Sequence, residues 1–243
     1  FGKLIPIGYS KTFKPEPVLA TSWQQVTPTQ LRMNLRKGVK FHDGSTFTAA
    51  DAVFSIERAM AKTSNFGVYA QGIDRVVAVD EYTIDIFTKD PNPVLLNQLT
   101  ELRMMSKAWA EKNRSTEPKD IKTQDENFAH RNANGTGPFT LKEWQPDQKL
   151  VLARNDAWWG KADTNVTEVV YTPVKNVATR TAALLSGEVD FVLDPSPQDL
   201  PRLRQSANLK VIDGVENRTI FFGLDQFRDE LPGSNIKGKN PLK

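Results

Sequence analysis

Apolar and polar residues alternate along several short segments of the chain, and this period of two indicates β-strands. Leu31, Met33 and Leu35 fall on one side of an extended chain, with an arginine and an asparagine between them. Residues 75–79 and 82–88 are separated by two acidic residues and predict a hairpin. Further strands are predicted at residues 139–144, 149–154, 169–172, 189–193, 209–212 and 219–224.

A period of three to four residues predicts helices between these strands. Thr48 and Asp51 stand in the order of a capping box, so a helix is expected to begin at Ala49. Its polar side, with Glu57 and Arg58, is expected to face solvent. Its buried stripe is predicted to consist of Ala49, Val53, Ile56 and Met60. Further helices are predicted at residues 94–99, 106–113, 125–131, 177–185 and 198–205.

A loop rich in turn-forming residues predicts a domain boundary near the middle of the chain. It contains Gly135, Thr136, Gly137 and Pro138, which we interpret as a hinge or domain-boundary loop. Residues 1–135 are predicted to form one domain with a strand, a helix, a hairpin and further helices. Residues 136–243 are predicted to form a second, with a hairpin followed by alternating strands and helices. This alternation indicates an α/β architecture.

Composition excludes several classes of protein. The chain has 243 residues with a net charge of +3, and its charges are too evenly spread to predict a nucleic-acid-binding surface. Cysteine is absent and only two histidines occur, which excludes disulfides, thiol catalysis and motifs built on paired histidines. No apolar run reaches the roughly 18 residues of a membrane span. No catalytic residue, metal ligand or cofactor is predicted.

Three local patterns each allow a functional and a structural interpretation. Gly135 and Gly137 could hold a phosphate, but Pro138 lacks the N–H group that such a loop uses, so a structural turn or hinge is favoured. His42 beside Asp43 could form an acid–base pair or a surface turn, and the turn is favoured.

The third pattern is an aromatic pair, Trp158 and Trp159. It could stack on a sugar or a base, or it could fill a gap at a strand end, and we favour packing. A carboxylate-using hydrolase with its site near this pair is the alternative from another functional class.

Six ordered blocks of the sequence resemble family 5 of the extracellular solute-binding proteins, the dipeptide, oligopeptide and nickel receptors of ABC importers. The blocks are PVLATSW at 17–23, LRKGVKFHDGSTFTAADAVFSIERAM at 35–60, VVAVDEYTIDIFTKDPNP at 76–93, NGTGPFTLKEW at 134–144, LVLARNDAWWG at 150–160 and ATRTAALLSGEVDFV at 178–192.

The resemblance implies a bilobal receptor of about twice this length that closes on its solute at a hinge. On this basis the chain is expected to be a fragment of the type II periplasmic-binding-protein fold, lacking the second lobe. Residues 1–135 would be the small extra α/β domain, and residues 136–243 would be part of the first lobe, with a mixed sheet.

The resemblance also implies a function and two candidate site residues. The implied function is non-enzymatic capture of a solute, first a peptide and alternatively a nickel chelate, a sugar or an opine, for an ABC permease in the membrane. The location would be the periplasm or another extracytoplasmic, membrane-associated site, after removal of a signal peptide, and the fragment would be monomeric. Tyr69, in a glycine-containing loop, and Arg103, within an apolar stretch, are the candidate ligand-binding residues. A salt bridge to a nearby carboxylate is the alternative role for Arg103.

Overall fold

The computed structural model describes residues 2–3, 14–123, 125–214 and 219–243. These residues divide into two compact units, the first ending at Arg180 and the second comprising Thr181–Lys243. The predicted boundary after Gly135 concerns the domains of a whole receptor and stays a prediction.

The strands are β1 Gly2–Lys3, β2 Ala20–Thr27, β3 Gln30–Leu35, β4 Ile73–Asp80, β5 Thr83–Thr88, β6 Arg103–Met104, β7 Phe139–Gln145, β8 Lys149–Arg154 and β9 Glu168–Tyr171. The α-helices are α1 Ala49–Met60, α2 Gly67–Ala70, α3 Leu95–Leu99, α4 Lys107–Lys112, α5 Val177–Ser186 and α6 Leu200–Gln205.

A four-stranded sheet packed on α1 contains the main core. The strand order is β2-β3-β5-β4, and each neighbouring pair is antiparallel. Met33 lies opposite Ile84 across β3 and β5, and both are fully buried with Ile56 of α1 and Phe47. These side chains alternate with polar ones, so one side of the sheet is apolar and packs on the helix.

The helix α1 begins after Thr48, as predicted, but its buried stripe differs from the prediction. Alanines and polar residues take most of the buried positions, whereas Val53 and Met60 are only half-buried. Arg58 is also half-buried, and its Nε donates to the Ser115 carbonyl at 3.4 Å. The reason is that segments other than the sheet cover the helix, so an apolar stripe deduced from spacing alone is too narrow. The buried residues of α1 are Ala49, Asp51, Ala52, Ser55, Ile56 and Ala59.

A second sheet, of three strands, follows the glycine-containing loop. Strands β7, β8 and β9 pair in that order and are antiparallel throughout. All of the strand pairs in the described part of the chain are antiparallel, so the mixed sheet expected for residues 136–243 is not present there.

Three predicted strands are not formed, which corrects the expected alternation of strands and helices. Residues 189–193, 209–212 and 219–224 do not form strands, and Ile220 and Phe222 are 89% and 99% exposed. A strand needs a neighbour for its backbone hydrogen bonds, and no strand of the described residues pairs with these segments. The three segments alternate apolar and polar residues as strands do, but no neighbouring strand pairs with them among the described residues.

Two other predictions need adjustment. The helix expected at residues 125–131 is a single 3₁₀ turn, Phe128–His130. Strand β2 was not predicted because most of its side chains are exposed and polar, so its pattern carries little apolar signal. It is an edge strand held by backbone pairing with β3.

None of the described helices has the length and apolar character needed to cross a bilayer, the longest being α1 with 12 residues.

Candidate functional site

Tyr69 lies on α2, a single turn between α1 and β4. Its ring is half-buried and packs partly against the core. The ring of Phe66, itself exposed, lies 6.2 Å from it at a tilt of 42°. The two rings therefore form a small aromatic surface with an open side. A fully buried ring would have contradicted a ligand-facing role, and the observed position leaves that role a prediction.

Arg103 lies on β6, on the exposed side of a two-stranded ladder with β1. Its side chain is 40% exposed, and its Nη1 is 3.6 Å from the Glu101 carboxylate. The same guanidinium donates to the Glu101 carbonyl. The alternative role, a salt bridge to a neighbouring carboxylate, is therefore present in the structure. Because exposed pairs are weak and exchange readily with other anions, the pair does not exclude a ligand-facing role.

Two cations share this one carboxylate. Lys3 lies opposite Arg103 across the ladder, with its Nζ 4.0 Å from Glu101. Burial and the nearby positive charge of Arg103 lower the pKa of Lys3, while Glu101 acts in the opposite direction. The cluster of Lys3, Glu101 and Arg103 thus carries an excess positive charge. We name it the β6 cation cluster.

Sequence reasoning found Arg103 but missed its two partners. Glu101 could have been found, because it is the nearest carboxylate to Arg103 along the chain, two residues away. Lys3 could not, since it is about a hundred residues away along the chain and only strand pairing brings it near.

Buried polar groups of α1 hold the segment after β6 in place. Asp51 accepts a hydrogen bond of 2.8 Å from the Lys107 backbone N–H. The Ser55 hydroxyl oxygen accepts one of 2.8 Å from the Met105 N–H and donates to the Asp51 carbonyl at 2.6 Å. Since α1 also packs against α2, one helix positions both Arg103 and Tyr69. No hydrogen bond, ion pair or ring contact among the described residues joins these two side chains directly.

The predicted hinge loop is held by side chains from both of its flanks. The Trp159 indole donates to the Thr136 carbonyl at 3.0 Å, and Asn155 donates to the Gly137 carbonyl at 3.2 Å. Gly135 N–H donates to His42 Nδ1 at 3.2 Å. The Gly135 N–H is engaged and Pro138 has none, so two of the four loop residues cannot donate to a phosphate.

The tryptophan pair has a packing role in this structure. Trp159 packs against the core, and the Arg36 guanidinium lies 4.7 Å from the centre of its ring. The Trp158 ring lies 5.5 Å from that of Trp159 and folds back over Gly160.

No group of three or more metal-ligating side chains occurs within the described ranges.

A groove lined by aromatic residues, which the sequence did not predict, runs between the 3₁₀ turn Phe128–His130 and β7. It consists of two adjoining cavities of about 360 and 400 Å³ that share Trp109, Ala133 and Leu141. Trp144 lines one end, with the Arg131 guanidinium 5.2 Å from its ring centre. Neither Tyr69 nor Arg103 lines these cavities, so the groove is separate from the predicted ligand-facing residues.

Comparison with known proteins relates this architecture to characterised ones. Residues 14–238 match the model of the bacterial extracellular solute-binding proteins, family 5 Middle. The periplasmic oligopeptide-binding protein OppA of Escherichia coli is 28% identical over 209 residues, covering 76% of this chain and 36% of OppA.

Solved structures agree with the family match. The Helicobacter pylori periplasmic binding protein DppA, in complex with the peptide STSA, aligns with a TM-score of 0.69 and 28% identity over 86% of this chain and 43% of that one. AgaA of A. tumefaciens R10, in complex with agropinic acid, aligns with a TM-score of 0.72 and 25% identity over 84% of this chain and 40% of that one.

These proteins are longer than the chain, which spans 36–43% of the length of the three. The fold is therefore part of the α/β type II periplasmic-binding-protein architecture, as the sequence resemblance implied. Because the family model matches almost the whole sequence, the chain belongs to the bacterial extracellular solute-binding proteins of family 5.

Proposed function

We propose that the protein is the periplasmic solute-binding component of an ABC import system and that its solute is a peptide. The observation that carries this proposal is the family match over residues 14–238. Two relatives support the choice of solute, since one is an oligopeptide-binding protein and the other was solved with a peptide. The protein would act by binding alone, without catalysis, and would deliver its solute to a membrane permease as a monomer.

The β6 cation cluster supports recognition of an anionic group. Glu101 neutralises one of the two cations, so a solute carboxylate could take the place of the Glu101 carboxylate at Arg103 and form a charge-assisted hydrogen bond there. Tyr69 and Phe66 would provide an apolar surface for a side chain of the solute. Closure of two lobes would then favour the bound form, because the closed form makes more contacts with the solute.

An opine is the second candidate solute. The AgaA structure holds agropinic acid and is 25% identical to this chain. Agropinic acid and a peptide both present a carboxylate, so the β6 cation cluster does not distinguish them. A nickel chelate and a sugar remain the further alternatives within the family.

Calorimetry with the full-length gene product tests the proposal. After denaturation and refolding to remove co-purified solute, the protein is titrated with defined di- to pentapeptides, agropinic acid, a nickel–histidine chelate and a neutral disaccharide. We expect peptides to bind with a Kd of about 10 μM or tighter, corresponding to roughly −7 kcal/mol. Tight binding of agropinic acid or the chelate with no peptide binding would replace the peptide assignment. Turnover of any added compound would contradict the non-enzymatic role.

A further inference from the structure

The ring of His42 bridges two backbone groups of the predicted hinge loop. The Gly135 N–H lies 3.2 Å from Nδ1, and the Gly137 carbonyl oxygen lies 3.1 Å from Nε2. A backbone N–H can only donate and a carbonyl can only accept. Nδ1 must therefore be the bare nitrogen and Nε2 must carry the proton. The neutral ring in this one tautomer satisfies both backbone groups.

Asp43 extends the contact to the preceding loop residue. Its carboxylate accepts a hydrogen bond of 2.8 Å from the Asn134 side-chain amide, and its backbone N–H donates to the Asn134 side-chain oxygen at 3.1 Å. The His42 backbone N–H donates to the Gly135 carbonyl at 2.8 Å. Asn134 is almost completely buried. Two consecutive residues thus hold the loop through both side-chain and backbone groups.

Protonation would affect these contacts unequally. A proton on Nδ1 places a second donor opposite the Gly135 N–H, so that hydrogen bond is lost and two like dipoles face each other. The Nε2 contact with Gly137, the hydrogen bond from the His42 backbone N–H to the Gly135 carbonyl and both Asn134 contacts remain possible, because none of them uses Nδ1. The expected result is that the Gly135 N–H loses its acceptor while the Gly135 carbonyl and Asn134 stay attached.

We propose that His42 is a positioning residue of the loop at residues 134–137, and that its protonation loosens this loop on the side of Gly135. The importance of this loop as a hinge for solute capture rests on the proposed function, whereas the contact itself does not. Among the described residues, Asp43 carries the charge that acts on the ring, and its carboxylate accepts hydrogen bonds from Ser45 and Asn134.

The direction of the pH dependence follows from the surroundings of the ring. Burial lowers the pKa of His42 below its ordinary value, with the Gly137 carbonyl and Asp43 acting in the opposite direction. The folded protein therefore binds this proton less readily than the unfolded chain. The stabilising contact is complete above about pH 6.5, the ordinary pKa of histidine, and is lost as the pH falls through the folded value.

Nuclear magnetic resonance of the 243-residue chain tests the contact. Long-range ¹⁵N–¹H spectra should show His42 as the Nε2–H tautomer at pH 8. Hydrogen exchange of the Gly135 amide, corrected for its intrinsic pH dependence, should become roughly three- to tenfold faster as His42 is protonated. The chain has only two histidines, so the signals can be assigned with single variants.

His42→Gln and His130→Gln form a matched pair of variants. Glutamine at 42 can still donate and accept hydrogen bonds but cannot titrate. In this variant the pH-dependent increase in the amide exchange rate of Gly135 should therefore be absent. His130 bonds to Asn127 within its own turn, so its variant should leave Gly135 unaffected. Two results in the unmodified chain would overturn the proposal even if the variants do not fold. One is an Nδ1–H tautomer of His42, and the other is a Gly135 amide exchange rate that does not change when His42 is protonated.

Solute binding by the full-length gene product separates this inference from the proposed function. If peptides bind and their affinity falls with the protonation of His42 but not in His42→Gln, both stand. If peptides bind with no dependence on His42, the positioning role in solute capture is withdrawn. If no peptide binds at any pH while exchange at Gly135 still follows His42, the proposed function fails and the local contact stands.

Discussion

At the scale of single residues, Arg103 illustrates how a side chain keeps a fixed charge at the edge of an apolar segment. Its neighbours Leu102 and Met104 are buried, but the short ladder with β1 directs Arg103 to the exposed side, where Glu101 pairs with it. The structure thus resolves a conflict in the sequence between an apolar environment and a permanent charge.

Removing the guanidinium tests the role of Arg103. If it contacts an anionic group of the solute, Arg103→Ala should weaken binding by more than about tenfold, or 1.4 kcal/mol, in titrations of the full-length gene product. Arg75→Ala is the matched control, because Arg75 is also exposed and pairs with a neighbour, Asp74, at 2.9 Å. Unchanged affinity together with a lower melting temperature would assign Arg103 to its salt bridge alone.

Asp85 provides a residue-scale prediction about pH. Two hydrogen bonds of 2.7 Å from Arg32, and one of 2.8 Å from Gln30, reach its buried carboxylate. Hydrogen bonds and charge from Arg32 lower the pKa of Asp85 despite the opposing effect of burial. A carboxylate with a depressed folded pKa contributes stability that is complete above its ordinary pKa and is lost as the pH falls through the folded value.

We therefore expect Asp85→Asn to cost about 1 to 3 kcal/mol of unfolding free energy at pH 7. The difference in unfolding free energy between the variant and the unmodified protein should become smaller below about pH 4, near the ordinary pKa of aspartate. Urea denaturation at pH 7, 5 and 3 measures it. A difference that stays constant over this range would show that the ionised carboxylate is not what stabilises the sheet.

At the scale of elements, Asp51 connects the start of α1 with the start of α4. Asp51 accepts from the Thr48 backbone N–H at 2.9 Å and from the Lys107 N–H at 2.8 Å. It therefore completes the start of α1 and also attaches the start of α4. The capping-box pattern in the sequence predicted the first contact, but the second arises only when the two helices pack.

This double role predicts an order of effects. Asp51→Ala leaves two backbone donors without their acceptor and should lower the free energy of unfolding by about 2 kcal/mol or more, taking roughly 1 kcal/mol for each. Thr48→Ala should cost about 0.5 to 2 kcal/mol and leave solute binding unchanged. Chemical denaturation of both variants measures the order. A larger loss for Thr48→Ala would show that the contact with α4 contributes little.

The turn after β8 offers a second test at this scale. A Cβ atom at Gly160 would lie 2.6 Å from the Trp158 ring, closer than side-chain packing allows. Gly160→Ala should displace that ring from Trp159 and cost about 1 to 3 kcal/mol. Near-ultraviolet circular dichroism, which reports the packing of the two indoles, should change with it, whereas Gly223→Ala, at a site where the nearest atom is 3.9 Å away, should leave both measurements unaltered.

At the scale of the whole molecule, the second compact unit exposes apolar side chains that its sequence predicted to lie in strands. Ile212 and Phe221 are exposed along with the isoleucine and phenylalanine on either side of Phe221. The family match includes this region, and the chain spans only 36% and 43% of the length of OppA and DppA. The exposed segments therefore mark where the described residues lack a neighbour to pack against.

Substitution of one of these side chains measures how far it is exposed. Phe222→Ser should change the unfolding free energy of the 243-residue chain by less than about 0.5 kcal/mol, because surface substitutions have small effects. It should also reduce concentration-dependent association in sedimentation velocity, since less apolar area is exposed. Ala183→Ser, in the buried part of the same unit, is the contrasting variant and should destabilise. A large destabilisation by Phe222→Ser would mean that the ring is buried in solution.

Local pattern alone determined most of the elements and the family of this protein. The alternation around Met33, the capping order at Thr48 and the ordered family blocks depend on residues close together in the chain, so they are readable without a fold. Only the tertiary structure decided which segments find partners. Strand pairing brings Lys3 to Arg103, and packing brings His42 to a loop more than 90 residues later, whereas residues 219–224 remain without a ladder. Hydrogen bonds across such distances depend on chain topology, which a periodic pattern does not encode.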